Sequence, residues 1–189
     1  VILSKNENVR FAPASTAKIM SALVALEHYD PEHVLQTGIS TVSIQGSKMG
    51  LFLGEEIKIK DLIYGMMLPS GNDAAHLLAS SYPGGINGFV ARMNEKAREL
   101  SLTNTHFIDP AGYDDDNYST AYDLARLGAH ALSNPTISEV VKTPQITVYN
   151  TSQTIQHELK NLNELLSLNG VNGIKTGFTE GAGQVLVTS

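Results

Sequence analysis

Apolar residues recur along this chain with two periodicities, one typical of helices and one typical of strands. A long, largely apolar stretch covers residues 19–26 and follows a proline and Ser15, which are signals for the start of a helix. Since the stretch is apolar on nearly all sides, we predict a buried helix that begins near Ser15. It should end near Asp30, because Pro31 disfavours helix in the residue before it.

Four further helices are predicted from apolar residues at helical spacing and from polar start signals. They cover residues 58–67, residues 73–80, the region from Phe89 to Leu100, and a segment from a capping-box pattern at Thr120 to Leu132. Shorter β-branched or alternating segments predict strands at residues 37–44, 146–149 and 184–188.

The middle of the chain is therefore mostly helical, whereas its two ends are mixed. We predict a single domain of residues 1–189 with an α/β (α+β) fold. In this arrangement residues 1–29 and 150–189 form an α/β lobe, and residues 30–149 form a mostly helical lobe inserted between its two parts.

Composition excludes several kinds of function. The net charge of −6 argues against a nucleic-acid groove or a polybasic membrane face. The chain has no cysteine, which excludes disulfides and thiol nucleophiles. It also has no run of 18 apolar residues, so we predict no membrane-spanning segment in this sequence. We predict no metal site, because neither the acidic run 114–116 nor the histidines have the spacing of known metal-binding motifs. The histidines are His28, His33, His76, His106, His130 and His157.

Ser15 and Lys18 are the first candidates for chemistry. Side chains three residues apart leave the same face of a helix, so a hydroxyl and an amine would lie side by side on a buried helix. Such a pair can act as nucleophile and base. A Ser-x-x-Lys sequence by itself is more often a helix cap followed by a surface lysine.

Two further motifs follow Ser15 and Lys18 along the chain. Ser70-Gly71-Asn72 lies in a break between predicted helices, and Lys175-Thr176-Gly177 lies just before or on a predicted strand. Each is weak evidence alone, but the three motifs in this order are the set found in class A β-lactamases and penicillin-binding proteins.

The chain resembles the D-alanyl-D-alanine carboxypeptidases, which are low-molecular-weight penicillin-binding proteins of the serine β-lactamase/transpeptidase-like superfamily. The resemblance rests on stretches that span almost the whole chain: residues 11–20 (FAPASTAKIM), 68–75 (LPSGNDAA), 89–107 (FVARMNEKARELSLTNTHF), 118–127 (YSTAYDLARL) and 170–183 (GVNGIKTGFTEGAG). It implies an antiparallel sheet flanked by helices, with further C-terminal strands of that sheet expected beyond residue 189.

The resemblance also implies roles for the motif residues. Ser15 would be the nucleophile and Lys18 its base, Ser70 would pass a proton to the leaving amine, and Asn72 would hold the substrate amide and Lys18. The remaining positions implied to bind substrate are Lys175, Thr176, Gly177 and Phe178, with the backbone N–H groups of Ser15 and Phe178 forming an oxyanion hole.

The implied reaction removes the terminal D-alanine from peptidoglycan stem peptides through an acyl-enzyme, without a cofactor, and β-lactam antibiotics are the implied covalent inhibitors. The family acts outside the cytoplasmic membrane, and it attaches to the membrane through segments that this sequence does not include.

Three alternatives stay open at this point. The first is a peptidoglycan DD-endopeptidase with the same nucleophile. The second is a class A-like β-lactamase, although Glu164 is too close to Lys175 along the chain to be a good candidate for its deacylating base. The third is a non-catalytic penicillin-binding module.

Overall fold

The structure is a computed structural model that describes residues 2–189. Val1 lies outside the described residues. The helices are α1 (Lys18–His28), α2 (Ile39–Val42), α3 (Ile59–Met67), α4 (Asn72–Ser80), α5 (Gly85–Glu99), α6 (Ala121–Ala131) and α7 (Pro135–Lys142), with 3₁₀ helices at Ala14–Ala17 and Glu164–Ser167. The strands are β1 (Val34–Gln36), β2 (Glu56–Lys58), β3 (Gln145–Tyr149), β4 (Gln156–Lys160), β5 (Ile174–Thr179) and β6 (Gly183–Thr188).

Helix α1 is the centre of the core. Every residue from Lys18 to Ala25 is buried, and α1 packs against α3, α4, α5 and α6. The prediction of a helix that is buried on nearly all sides is confirmed. Burial of each large apolar side chain contributes roughly 1.5–3 kcal/mol, so this helix anchors the residues at its amino end firmly.

The start of α6 also agrees with the sequence. Thr120 is its N-cap, and its side chain accepts a hydrogen bond of 3.1 Å from the backbone N–H of Asp123. The Asp123 carboxylate does not return a bond to Thr120 but accepts from the N–H of Asn104 and the hydroxyl of Thr105. The cap therefore joins α6 to the loop that precedes it.

The strands form three antiparallel pairs: β1 with β2, β3 with β4, and β5 with β6. In the last pair Lys175 lies opposite Val187 and Gly177 lies opposite Val185. Helix α6 packs closely on this hairpin through Gly128, where an added Cβ would come within 2.9 Å of Ile174 and Val187. The α/β fold class with antiparallel pairing is confirmed.

One local prediction is wrong, and one helix was not predicted. Residues 37–44 were expected to form a strand, but the strand is β1, which ends at Gln36, and α2 occupies Ile39–Val42. Beyond Gln36, Thr37 bonds to the turn that precedes β2: its N–H donates to Glu55 O, and its carbonyl accepts from the Gly54 N–H. Helix α7 was not predicted, although Asn134 caps it and a proline begins it. The division into lobes at residues 29/30 and 149/150 stays a prediction.

Candidate active site

Ser15 lies in the 3₁₀ turn that leads into α1, half-buried at the edge of a cleft. The turn is held at both ends. Thr16 donates its hydroxyl to Pro13 O at 2.6 Å, and Ala14 adopts a left-handed backbone with φ of 48°. Gly112 packs against the same turn, where an added Cβ would lie 1.9 Å from Ala14 O, so only glycine allows this approach.

Lys18 is the first residue of α1 and is fully buried. Its Nζ lies 2.8 Å from Ser15 Oγ and donates a hydrogen bond of 2.8 Å to Ala111 O. Burial holds the pKa of Lys18 well below its usual value, and the charge of Lys175 lowers it further, against weaker opposing effects of Asp109 and Asp73. A lysine of this kind can accept the proton of the neighbouring hydroxyl.

The carbonyl of Ala111 is fixed by a hydrogen-bonded loop that the sequence did not identify as part of the site. The Asp109 carboxylate accepts from the Ala111 N–H at 2.7 Å and from Asn117 Nδ2 at 2.7 Å. Ser21 of α1 donates to Pro110 O at 2.5 Å and ties the loop to the helix that carries the lysine. This loop therefore orients the second hydrogen-bond partner of the Lys18 amine.

Ser70-Gly71-Asn72 connects α3 to α4 on the other side of the cleft. Ser70 has a left-handed backbone with φ of 66°, and its buried Oγ has no hydrogen-bond partner within residues 2–189. Gly71 donates to Gly65 O at 2.9 Å, and an added Cβ would approach that oxygen to 2.7 Å. Asn72 begins α4, and its Nδ2 donates to Gln45 O at 2.9 Å.

Asp73 holds the loop that lies beside Asn72, and sequence reasoning assigned it only to the helix dipole. Its buried carboxylate accepts backbone N–H bonds of 2.9, 2.9 and 3.1 Å from Met49, Gly50 and Leu51. In the same loop, Ser47 O accepts a hydrogen bond of 2.7 Å from the Asn72 N–H. The bonded residues are distant in sequence, so no local pattern could have predicted them.

Strand β5 carries the third motif. Lys175 is buried, which lowers its pKa to about 7, and its Nζ donates to Thr176 O at 3.0 Å. Gly177 passes close to the nucleophile, because an added Cβ would lie 3.0 Å from Ser15 N. Phe178 follows with its side chain exposed.

Ser15 lies between two cavities. The larger one, of about 730 Å³, is lined by Ser15, Ser70, Thr176, Gly177 and Phe178 together with residues 162–165. The smaller one, of about 410 Å³, is lined by Ser15, Asn72, Phe178 and the loop residues Tyr113 and Asp115. The structure thus places six of the eight sequence-predicted residues on these two cavities. Lys18 and Lys175 are buried, close enough for their charges to interact.

Within the described part of the chain, no cluster of three or more histidine, aspartate or glutamate side chains could hold a metal ion. No helix among residues 2–189 has the length and apolar character needed to cross a membrane.

A protein-family profile described as D-alanyl-D-alanine carboxypeptidase matches residues 1–189. The chain is 35% identical to the D-alanyl-D-alanine carboxypeptidase DacF of Bacillus subtilis, over all of this chain and 50% of that protein. It is 36% identical to a D-alanyl-D-alanine endopeptidase of Pseudomonas aeruginosa, over 99% of this chain and 62% of that protein. The chain therefore spans half to somewhat under two thirds of these relatives' length.

Similarity to solved structures extends over the whole fold. The crystal structure of the Streptomyces K15 DD-transpeptidase superposes with a TM-score of 0.92 at 33% identity, covering 98% of this chain and 78% of that one. The helices and paired strands described above therefore closely resemble the corresponding part of that solved protein.

Proposed function

Because the chain belongs to the D-alanyl-D-alanine carboxypeptidase family, we propose that it is a serine DD-carboxypeptidase that removes the terminal D-alanine from peptidoglycan stem peptides. The observation that carries the proposal is the Ser15–Lys18 pair, with 2.8 Å between hydroxyl and amine and a lysine pKa lowered by burial. A non-catalytic binding module has no need of such a pair.

In the first step, the Ser15 hydroxyl gives its proton to the neutral amine of Lys18 as Oγ attacks the carbonyl carbon of the penultimate D-alanine. The negative charge that develops on the carbonyl oxygen is stabilised by the backbone N–H groups of Ser15 and Phe178. Gly177 favours this arrangement, because its lack of a side chain lets β5 approach the N–H of Ser15. One such donor typically contributes about 10²–10³ in rate.

In the second step, the peptide C–N bond breaks and the leaving D-alanine amine takes up a proton. Ser70 passes this proton from Lys18 to the amine, a role that suits a buried hydroxyl without another partner. Water then attacks the acyl-enzyme ester, releasing the shortened peptide and restoring Ser15. Asn72, fixed by its bond to Gln45, holds the substrate amide. The contact with Lys18 expected from the sequence is not among the hydrogen bonds of residues 2–189, in which the Lys18 amine bonds to Ser15 and Ala111.

The carboxylate of the terminal D-alanine binds at β5. Thr176 donates its hydroxyl to this carboxylate, and Lys175 supplies a positive charge beneath it. Since burial without a counter-ion lowers the pKa of Lys175 to about 7, an arriving carboxylate stabilises the protonated lysine and is itself attracted to it. No cofactor takes part in the reaction.

The proposal is tested with a pentapeptide ending in D-Ala-D-Ala and with benzylpenicillin. We expect release of one D-alanine per peptide and a penicillin adduct on Ser15, detected by intact mass and lost in the Ser15→Ala variant. Absence of both D-alanine release and the adduct would refute the proposal. Rapid turnover of the penicillin without a lasting adduct would instead indicate a β-lactamase.

A DD-endopeptidase is the second candidate, because relatives at 36% and 35% identity carry that name. Both activities use a serine to attack the carbonyl carbon of a D-alanine, but the leaving amine differs. It is free D-alanine in the carboxypeptidase reaction and the cross-linked amine of a second stem peptide in the endopeptidase reaction. An assay with equal amounts of a cross-linked peptide dimer and of the monomeric pentapeptide distinguishes the two activities. A carboxypeptidase releases D-alanine from the monomer, whereas an endopeptidase cleaves the dimer and leaves the monomer largely intact.

These substrates belong to the cell wall, so we place the enzyme's action outside the cytoplasmic membrane. Its partners are then the peptidoglycan stem peptide as substrate and β-lactam antibiotics as covalent inhibitors.

A further inference from the structure

The larger cavity beside Ser15 has one wall to which the proposed reaction gives no role. This wall consists of residues 162–165, which contain the start of the second 3₁₀ helix, and it lines the same cavity as Ser15, Ser70 and Thr176. A peptide held at Ser15 and β5 has room to contact it.

This wall is firmly anchored. Asn161 donates through Nδ2 to Val141 O and Thr143 O, both at 3.2 Å, at the end of α7. The N–H of Leu162 donates to Leu68 O at 3.2 Å, two residues before Ser70. The wall is thus fixed to the segment that carries one of the proposed catalytic hydroxyls.

Asn163 presents an unused hydrogen-bond donor. Its side chain is buried, and its Oδ1 accepts from the Leu165 N–H at 3.1 Å, which fixes the orientation of the amide. Its Nδ2 is buried without a hydrogen-bond partner among residues 2–189, as is Ser70 Oγ in the same cavity. Buried donors of this kind are costly unless a ligand uses them.

Glu164 presents an unused charge next to that donor. It is the one ionisable residue among those lining the cavity, and its carboxylate makes no hydrogen bond or ion pair within the part of the chain that is described. Exposed apolar side chains surround it, namely Leu162, Leu165, Phe178 and Leu186. This combination suits a ligand with an apolar body and one positive charge.

We propose that Asn163 and Glu164 bind the part of the substrate that precedes its D-Ala-D-Ala pair. Asn163 Nδ2 donates to a backbone carbonyl of the peptide, and the Glu164 carboxylate pairs with a free primary amine on a substrate side chain. The inference rests on the proposed function and adds to it the substrate class, a stem peptide that carries an unblocked amine.

The test compares two tripeptides, Nα-acetyl-L-Lys-D-Ala-D-Ala and the same peptide with its ε-amine also acetylated. We expect the wild-type enzyme to release D-alanine with a kcat/KM about two- to fivefold higher for the free amine, as suits a partly exposed ion pair. This ratio should fall towards one as salt is raised.

The matched variants are Glu164→Gln and Glu180→Gln, which remove one carboxylate from the larger and the smaller cavity respectively. The ratio should fall to about one in Glu164→Gln, fall below one in Glu164→Lys, and persist in Glu180→Gln. Asn163→Ser keeps an N-cap oxygen but withdraws the amide donor. We therefore expect kcat/KM to fall about three- to tenfold on both peptides, with the ratio kept.

Equal rates on the two peptides with the wild-type enzyme would overturn the inference. So would a preference that survives Glu164→Gln or that disappears in Glu180→Gln. These results differ from failure of the proposed function, in which neither peptide loses D-alanine and benzylpenicillin forms no adduct.

Discussion

The Ser15–Lys18 pair can move a proton only while the lysine amine is neutral. An exposed lysine keeps its proton to about pH 10.4, so the fold must lower the pKa of Lys18. Complete burial of the Lys18 side chain lowers its pKa, and the nearby charge of Lys175 lowers it further. Ala111 O provides one fixed hydrogen-bond acceptor for the amine. The proposed role of Lys18 as base therefore depends on burial and not on the Ser-x-x-Lys spacing alone.

Replacing Lys18 by methionine separates this chemistry from packing. We expect the Lys18→Met variant to form the penicillin adduct at least about 100-fold more slowly, because general-base catalysis contributes about 10²–10⁴. Its thermal stability at pH 7 should not fall, since methionine removes the cost of burying an amine. Adduct formation followed by intact mass checks the first point and thermal denaturation the second.

Lys142→Met, on the exposed side of α7, is the control. Labelling of Lys18→Met at the rate of this control would contradict the role.

The pH dependence of kcat/KM should report the two lysines of the free enzyme. Activity should rise at the acidic side as Lys18 loses its proton, and fall as the pH passes about 7, where Lys175 loses the charge that attracts the substrate carboxylate. Because a bound carboxylate stabilises protonated Lys175, the fall in kcat should lie at higher pH than the fall in kcat/KM. Initial rates of D-alanine release from pH 5 to 9 measure both. A kcat/KM that is flat between pH 7 and 9 would show that this charge is not needed.

At the scale of elements, the site forms where three of them meet. The 3₁₀ turn before α1 supplies Ser15, the start of α4 supplies Asn72, and β5 passes both cavities with residues 176–178. Two loops, each held by one aspartate, set the distances between these elements.

Local sequence signals predicted several of the helices, although the cap and the proline that begin α7 were missed. Helix α1 was evident from a proline and an apolar run, and α6 from its Thr120 cap. The anchoring role of Asp73 could not be predicted, because its partners Met49 to Leu51 lie far away in sequence. The strand expected at residues 37–44 failed for a related reason, since pairing with β2 determines where β1 ends.

Asp73→Asn should loosen the loop beside Asn72. In the variant, an NH₂ group takes the place of one carboxylate oxygen, and this group cannot accept a hydrogen bond from the backbone N–H groups of the loop. We therefore expect a loss of roughly 2–3 kcal/mol in the free energy of unfolding. We also expect a lower kcat/KM, because the loop carries Ser47 and contacts Asn72. Urea denaturation and D-alanine release measure the two effects. Asp61→Asn makes the same change in the first turn of α3 and should cost far less. Equal losses in the two variants would argue against the anchoring role.

Gly177→Ala tests the contact between β5 and the nucleophile. The new Cβ would lie 3.0 Å from Ser15 N and 3.1 Å from Ala14 Cβ, so the strand must move away from the 3₁₀ turn. A displacement of this kind can lower rates about 100-fold. We expect slower acylation by benzylpenicillin with the adduct still on Ser15. Gly38→Ala is the control, because no atom lies within 4 Å of its added Cβ. Wild-type acylation by Gly177→Ala would mean that the strand does not need this close approach.

The whole molecule carries an electrostatic cost for its site. Its net charge is −6, yet two lysines are buried without an ion pair to any residue from 2 to 189. Unpaired buried amines destabilise the folded state at neutral pH, because the unfolded chain keeps them protonated in water. The large apolar core around α1 offsets this cost and allows the site to exist.

This cost predicts how stability changes with pH. Lys175 has a pKa of about 7 when folded and about 10.5 when unfolded, so between these values the unfolded chain binds one more proton and stability rises with pH. The cost is fully present below about pH 7 and disappears towards pH 10.5, with a slope from this group of at most about 1.4 kcal/mol per pH unit. We expect the Lys175→Met variant to be more stable than wild type at pH 7 and the difference to shrink by pH 9. Urea denaturation of both proteins at pH 7, 8 and 9 measures the difference directly, and comparison of the two proteins cancels the other titrating groups. Parallel stability curves would mean that Lys175 keeps its proton in the folded protein throughout this range, and the alkaline fall in kcat/KM predicted above would then need another group.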